Sequence, residues 1–95
     1  MYIQGDVYLT ETKEIPKNAE KVSARNGRFI LAEGEATGHA HAVVDDELEV
    51  YEKDGILYIK ASRPFTVEHE EHKPITIEAG IWEVGRQREY DPFLE

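Results

Sequence analysis

The chain has 95 residues, a net charge of −9, 40% hydrophobic and 33% charged residues, and no cysteine. This length suits a single domain with a modest core, and the composition is that of a globular protein. Without cysteine, disulfides and thiolate metal ligands are excluded, so histidine and carboxylate are the expected metal ligands. The acidic balance repels phosphate groups, so we expect no nucleic-acid partner.

No stretch of the sequence has the features of a membrane span or a targeting segment. No apolar run approaches the roughly 18 to 20 residues that cross a bilayer. The opening, MYIQGDVYLTE, has neither a basic start nor an apolar signal core. We therefore expect a cytoplasmic protein with no membrane partner.

The first predicted strand covers residues 2–10, where apolar and polar residues alternate. In a strand, successive side chains point to opposite faces. One face then carries Ile3, Val7 and Leu9, and the other carries Gln4, Asp6 and Thr10. The apolar set is the one expected to face the core.

Further alternating runs follow along the chain, with turn signals between them. The clearest runs are ELEVYE, ILYIKA, FTVEHE and PITIEA. Asn26-Gly27 and Asp54-Gly55 are turn signals, and the second of them is the clearest hairpin. About eight short strands at spacings near ten residues predict an all-β fold, a small single-domain antiparallel β-barrel or sandwich.

The predicted domain spans residues 1–95, with residues 91–95 as a flexible or docking tail. Pro92 cannot continue a central strand. Phe93 and Leu94 are apolar residues at the end of the printed chain. We expect these two side chains either to fold back onto the same domain or to dock on a neighbouring subunit of a homo-oligomer.

All four histidines lie in two short stretches, GHAH and HEEH. On a strand over residues 33–43, His39 and His41 project from one face, near enough to share an ion at about 2.0–2.1 Å. His69 follows the apolar face of FTVEHE, and a turn before Pro74 brings His72 back toward it. We therefore predict a shared metal site of four histidines.

The surroundings and the ligand types indicate which metal such a site holds. Eleven acidic and three basic residues lie between residues 31 and 71, and this field attracts cations. Imidazole and carboxylate suit a divalent transition metal, Zn²⁺, Fe²⁺, Ni²⁺ or Mn²⁺, rather than Ca²⁺ or Mg²⁺. Four histidines in a tetrahedron form a structural site, whereas three leave a position for an activated water. Glu70 or Glu71 is then the candidate catalytic base, or orients a ligand.

Two resemblances involve the same residues. Nearly the whole chain resembles a group of small bacterial and phage proteins with no assigned activity, through QGDVYL, LAEGEATGHAH, HEEHKPITIEAG and WEVGRQREYDP. GHAHAVVDDE followed by PITIEAGIWEV is loosely similar to cupins, small barrels that hold a metal with H-x-H, a following Glu and a later His. That similarity implies His39 and His41 as ligands. It departs from the cupin pattern at Glu47, which lies too far downstream, and at Glu83, which stands where the later histidine is expected.

Two alternative hypotheses need no metal. One is a non-enzymatic structural or interaction module, for instance a phage or accessory protein, which assembles through sheet edges and the apolar tail. The other is a pH-responsive domain, because four histidines among acidic residues change charge between roughly pH 5 and 7. The sequence leaves enzymatic activity open.

Overall fold

A computed structural model describes residues 1–33, 40–44 and 48–86, which form antiparallel strands arranged in two sheets. The strands are β1 (Tyr2–Gln4), β2 (Val7–Thr12), β3 (Glu20–Val22), β4 (Phe29–Glu33), β5 (Ala40–Val43), β6 (Glu49–Lys53), β7 (Ile56–Ala61), β8 (Phe65–Glu68), β9 (Ile75–Ile77) and β10 (Gly80–Arg86). The predicted all-β fold is confirmed, with ten strands in the described residues rather than about eight. In this part of the chain, no helix has the length and apolar character that crossing a membrane requires.

The two sheets make a sandwich rather than a closed barrel. The larger sheet has the order β1-β2-β10-β7-β6-β3, and the smaller one has the order β4-β5-β8-β9. Strand β5 therefore pairs with β8, although the hairpin β6–β7 separates them along the chain. The pairing of β5 with β8 brings His41 next to the HEEH stretch.

The hydrophobic core lies between the sheets and is built from the inward residues of both. Its fully buried side chains include Val7, Leu9, Val43, Val50, Ile59, Val67 and Ile77. They follow the period of two that the strands predict, since Val7 and Leu9 alternate with the half-buried Tyr8. Burying one such side chain contributes about 1.5–3 kcal/mol.

Both turn signals singled out in the sequence form tight turns. Asp54 and Gly55, with φ of 53° and 82°, connect β6 to β7. Asn26 and Gly27 have φ of 54° and 77°, and the residues on either side of them exchange two backbone hydrogen bonds. Positive φ at both central residues is what a type I′ turn requires. The predicted Asp54-Gly55 hairpin is confirmed.

The prediction of one continuous strand over residues 2–10 is wrong. The chain turns at Gly5 and Asp6, so that Gln4 lies opposite Val7 and both face inward. Positive φ at Gly5, 60°, and not at Asp6 is the pattern of a type II′ turn. Because the turn resets the alternation, Gln4 is 3% exposed and Ile3 is 59% exposed, the reverse of the expected faces.

Two parts of the sequence prediction fall outside the described residues. Within the predicted strand over residues 33–43, β4 ends at Glu33 and β5 begins at Ala40. His39 and the predicted docking tail, residues 91–95, lie outside the described part of the chain.

Candidate functional site

One end of the core between the sheets is polar, and three histidines meet there. His41 precedes Val43 on β5 by two positions, and His69 follows Val67 on β8 by two. Since Val43 and Val67 are opposite each other in an antiparallel pair, both histidines extend the buried rows at the same end. His41 is 2% exposed, and His69 is half-buried.

The three described histidine rings lie close together. The ring centroids of His41 and His69 are 4.4 Å apart, those of His69 and His72 are 4.6 Å apart, and those of His41 and His72 are 6.0 Å apart. His72 is exposed, and its ring covers the β1–β2 turn: a Cβ at Gly5 would lie 2.6 Å from His72 Nε2. His41 of the first stretch therefore meets both histidines of the second.

Gln4 connects this cluster to the loop between β8 and β9. Its Nε2 donates to the carbonyl oxygens of Val67, at 3.0 Å, and Lys73, at 2.8 Å. Both partners only accept hydrogen bonds, so the orientation of the amide is fixed. The remaining atom, Gln4 Oε1, lies 2.8 Å from Nδ1 of His41 and accepts its proton.

The other nitrogen of His41 faces the hairpin turn of the larger sheet. His41 Nε2 lies 3.0 Å from Oδ1 of Asp6, and Arg86 Nε donates to Oδ2 of the same carboxylate at 2.9 Å. The side chains of Asp6 and Arg86 are 43% and 50% exposed, whereas that of His41 is 3% exposed. One chain of hydrogen bonds thus runs from the smaller sheet through Gln4 and His41 to Asp6 and Arg86.

Burial and the neighbouring charges shift two pKa values in this chain of hydrogen bonds, those of His41 and Asp6. Burial lowers the pKa of His41, and the charges of His69 and His72 lower it further, against the opposing effect of the hydrogen bond to Asp6. Burial raises the pKa of Asp6, but hydrogen bonds with Arg86 and His41 outweigh it, so this pKa lies below its ordinary value. A protonated His41 ring would donate to both Gln4 Oε1 and Asp6 Oδ1, but burial disfavours its positive charge.

Lowering the pH should therefore destabilise the metal-free protein, which treatment with a chelator provides. The pKa of His41 is lower in the folded chain than its ordinary value of 6.5, so the unfolded chain binds protons more readily below that pH. The free energy of unfolding should fall as the pH drops from 6.5 toward the folded pKa of His41. Thermal unfolding between about pH 7.5 and about pH 5.5 measures this effect. A midpoint that is level or rises on acidification over that range would contradict it.

The two candidate catalytic residues are placed at the same end of the sandwich. Glu70 Oε2 accepts a hydrogen bond from the backbone N–H of Ala40 at 3.0 Å, which ties the HEEH stretch to β5. The backbone N–H of Glu71 donates to Nδ1 of His69 at 3.0 Å. Because that nitrogen accepts, a neutral His69 carries its proton on Nε2. The catalytic roles of Glu70 and Glu71 stay predictions.

The described residues do not form a ready metal centre. No group of three or more His, Asp or Glu side chains within residues 1–33, 40–44 and 48–86 presents donor atoms that could hold an ion. The hydrogen bonds give the physical reason, because both ring nitrogens of His41 and Nδ1 of His69 already have protein partners. The predicted four-histidine set also includes His39, which lies outside the described residues.

A family model described as Domain of unknown function (DUF8820) matches residues 3–87. The chain belongs to that family. Comparison with curated proteins and with solved structures gave no match. Neither comparison links the chain to cupins. The DUF8820 match covers the histidine cluster and, apart from Tyr2 at the start of β1, all the strands described above. It carries no activity with it.

The sequence analysis missed two residues of this site, namely Gln4 and Asp6. A signal for both was present, since Gly5-Asp6 between two alternating runs is a two-residue hairpin pattern. A turn placed there would have turned Gln4 inward and set Asp6 at the hairpin tip. Arg86 lies opposite Val7 on β10, and no local pattern in the sequence indicates its contact with Asp6.

Proposed function

We propose that this domain binds one divalent transition-metal ion, Zn²⁺, Fe²⁺, Ni²⁺ or Mn²⁺, at the histidine cluster. The observation that carries the proposal is the convergence of His41, His69 and His72 at one end of the core. These residues come from two stretches that are separated in the sequence and joined by the pairing of β5 with β8. Imidazole is the ligand these metals share.

The spacing of the rings supports the proposal. An ion about 2.0–2.1 Å from a ring nitrogen lies about 3 Å from the ring centroid, so two rings on one ion have centroids about 4.5–5.5 Å apart. Of the observed separations, 4.6 Å lies within this range, 4.4 Å is just below it and 6.0 Å is above it. Coordination would require the rings to rotate so that their nitrogens face one ion, because the described donor atoms do not converge on one point.

The metal must exchange protein hydrogen bonds for coordination bonds. His69 has to release the N–H of Glu71 in either case, because it would bind through Nδ1 itself or would move its proton to Nδ1 and bind through Nε2. Glu70 is held by the N–H of Ala40, and a carboxylate in that position beside a metal-bound water would act as general base. Metal binding to such a hydrogen-bonded cluster should depend on pH.

Elemental analysis of untagged protein, purified without chelator or a nickel column, tests the proposal first. About one equivalent of metal per chain is expected, and addition of the ion to chelator-treated protein should raise the thermal midpoint. His72→Ala is the sharpest variant because the side chain is exposed, so its loss should not impair folding. It should weaken binding by about tenfold or more.

Glu52→Gln provides the matched control, because it removes one exposed negative charge from β6, outside the cluster. This variant should bind like the wild type. The proposal fails if the wild type retains no metal and none of the four ions changes its thermal midpoint near neutral pH. Equal binding by wild type and His72→Ala would place the metal elsewhere.

A further inference from the structure

We infer that Asp6 is a ligand of this metal centre and that Gln4 is the residue that orients His41 toward the ion. The inference rests on the proposed function and adds an oxygen ligand that neither histidine stretch contains. It also gives His41 Nε2, rather than Nδ1, as the coordinating atom. Three observations carry it: the locked amide of Gln4, the separation of His41 and Asp6, and the packing of His72 on the same turn.

The first observation is the fixed orientation of Gln4. Its Nε2 is committed to the carbonyl oxygens of Val67 and Lys73, so its Oε1 must face His41. His41 Nδ1 must then carry a proton, which leaves the lone pair of the neutral ring on Nε2. Metal-bound histidines usually donate their second ring N–H to a carbonyl or carboxylate oxygen in this way, which fixes the ring and the coordinating nitrogen.

The second observation is the atom that His41 Nε2 faces. In the neutral ring its lone pair points at Asp6 Oδ1 from 3.0 Å. Two acceptors at that distance repel each other unless a cation, either a proton or a metal ion, neutralises them. Two ligand atoms bound to one ion at about 2.0–2.1 Å are about 2.9–3.4 Å apart for coordination angles of about 90–110°. The observed separation lies in this range, and a rotation of the His41 ring that turns its lone pair from Oδ1 toward a shared ion would let both atoms bind it.

The third observation is the position of His72. Its ring lies over Gly5, the residue before Asp6, so closely that a Cβ there would be 2.6 Å from Nε2. The β1–β2 turn therefore carries both Asp6 and the residue on which His72 packs. The side chain of Asp6 is 43% exposed, so an ion bound here would be open to solvent on one side. Imidazole and carboxylate ligands with such an opening are typical of sites that bind a water or a substrate atom.

Arg86 contacts Asp6 but would not be a ligand of the ion. It donates to Oδ2 of Asp6 and leaves Oδ1 directed at His41. The carboxylate would thus bind the ion through one oxygen. Because the Arg86 guanidinium also competes electrostatically with an incoming cation, its removal should preserve or strengthen metal binding while the loss of Asp6 weakens it.

Titration calorimetry with Zn²⁺ and Ni²⁺ on chelator-treated, untagged full-length protein tests the inference. The variants are Asp6→Asn, Arg86→Gln and His72→Ala, with Glu52→Gln as the control. Asp6→Asn should bind about 10–100-fold more weakly than the wild type, and Arg86→Gln should bind at least as tightly as the wild type. Circular dichroism and thermal unfolding establish that each variant is folded.

A second measurement keeps the inference testable if Asp6→Asn fails to fold. Nitrogen-15 NMR of the wild type with and without Zn²⁺ should show a large shift of His41 Nε2, while Nδ1 keeps its proton. A carboxyl carbon-13 shift of Asp6 should accompany it. If the wild type binds metal and His72→Ala does not, but Asp6→Asn binds as tightly as the wild type, Asp6 is not a ligand and the proposed function stands. Absence of binding by the wild type overturns both.

Discussion

Replacement of Gln4 by Met should lower the free energy of unfolding by about 2–4 kcal/mol, although Gln4 lies on a three-residue edge strand. Methionine has a similar length and keeps the apolar contacts of the side chain. It leaves the carbonyl oxygens of Val67 and Lys73 and the Nδ1–H of His41 without their partner. Each buried polar group left unsatisfied costs about 1–3 kcal/mol.

Urea denaturation of Gln4→Met beside Ile3→Gln provides the measurement. Ile3 is the neighbouring residue on β1 and is 59% exposed, so a polar side chain there should change the free energy of unfolding by less than about 0.5 kcal/mol. If residues 2–10 were one strand, Ile3 would face the core and Gln4 would face solvent. The effects of the two variants on stability would then be the opposite of those expected here. A loss below about 1 kcal/mol in Gln4→Met would show that water replaces the amide, and that Gln4 does not hold the two sheets together.

The sequence predicted the features of this fold that depend on near neighbours. Asp54-Gly55 sits between two alternating runs, and a type I′ turn needs only its own two residues to be recognised. The inward direction of His69 followed from its place after Phe65 and Val67 in the FTVEHE run. These predictions succeeded because period-two alternation and turn chemistry act over a few residues.

The features that the sequence did not predict depend on which strands become neighbours. Alternation gives the face of a residue, but it does not reveal that β5 pairs with β8, and this pairing is what brings His41 beside His69. The error at Gln4 had a local origin, because a two-residue turn reverses the parity of every residue before it. Arg86 reaches Asp6 through the pairing of β10 with β2, a contact between distant parts of the chain.

The histidines of the candidate site can be recognised in the sequence, but their partners become apparent only in the fold. The histidines are visible as motifs, whereas the groups that set their protons and orientation come from the β1–β2 hairpin. Gln4 fixes the tautomer of His41, and Asp6 faces the nitrogen that the amide leaves. A chemical prediction from the histidines alone therefore names the ligand type but not the carboxylate or the coordinating atom.

Gly5→Ala and Gly55→Ala should destabilise the domain to a similar extent and differ in their effect on His72. Both glycines have positive φ, 60° and 82°, so an alanine at either position should cost about 1–3 kcal/mol. Nothing lies within 4 Å of a Cβ at Gly55, whereas a Cβ at Gly5 would lie 2.6 Å from His72 Nε2. Because His72 is exposed, its ring should swing away from the turn at little further cost in stability.

The displacement of His72 can be measured without metal and then with it. In chelator-treated protein, the ring resonances of His72 should shift in Gly5→Ala and not in Gly55→Ala, because only the first change removes the ring from its neighbours. The affinity for Zn²⁺ should then fall by about tenfold or more in Gly5→Ala alone, as expected when a ligand loses its position. Unchanged His72 resonances in a folded Gly5→Ala protein would mean that the ring does not pack on the turn. In that case the β1–β2 hairpin would position the carboxylate of Asp6 but not the imidazole of His72.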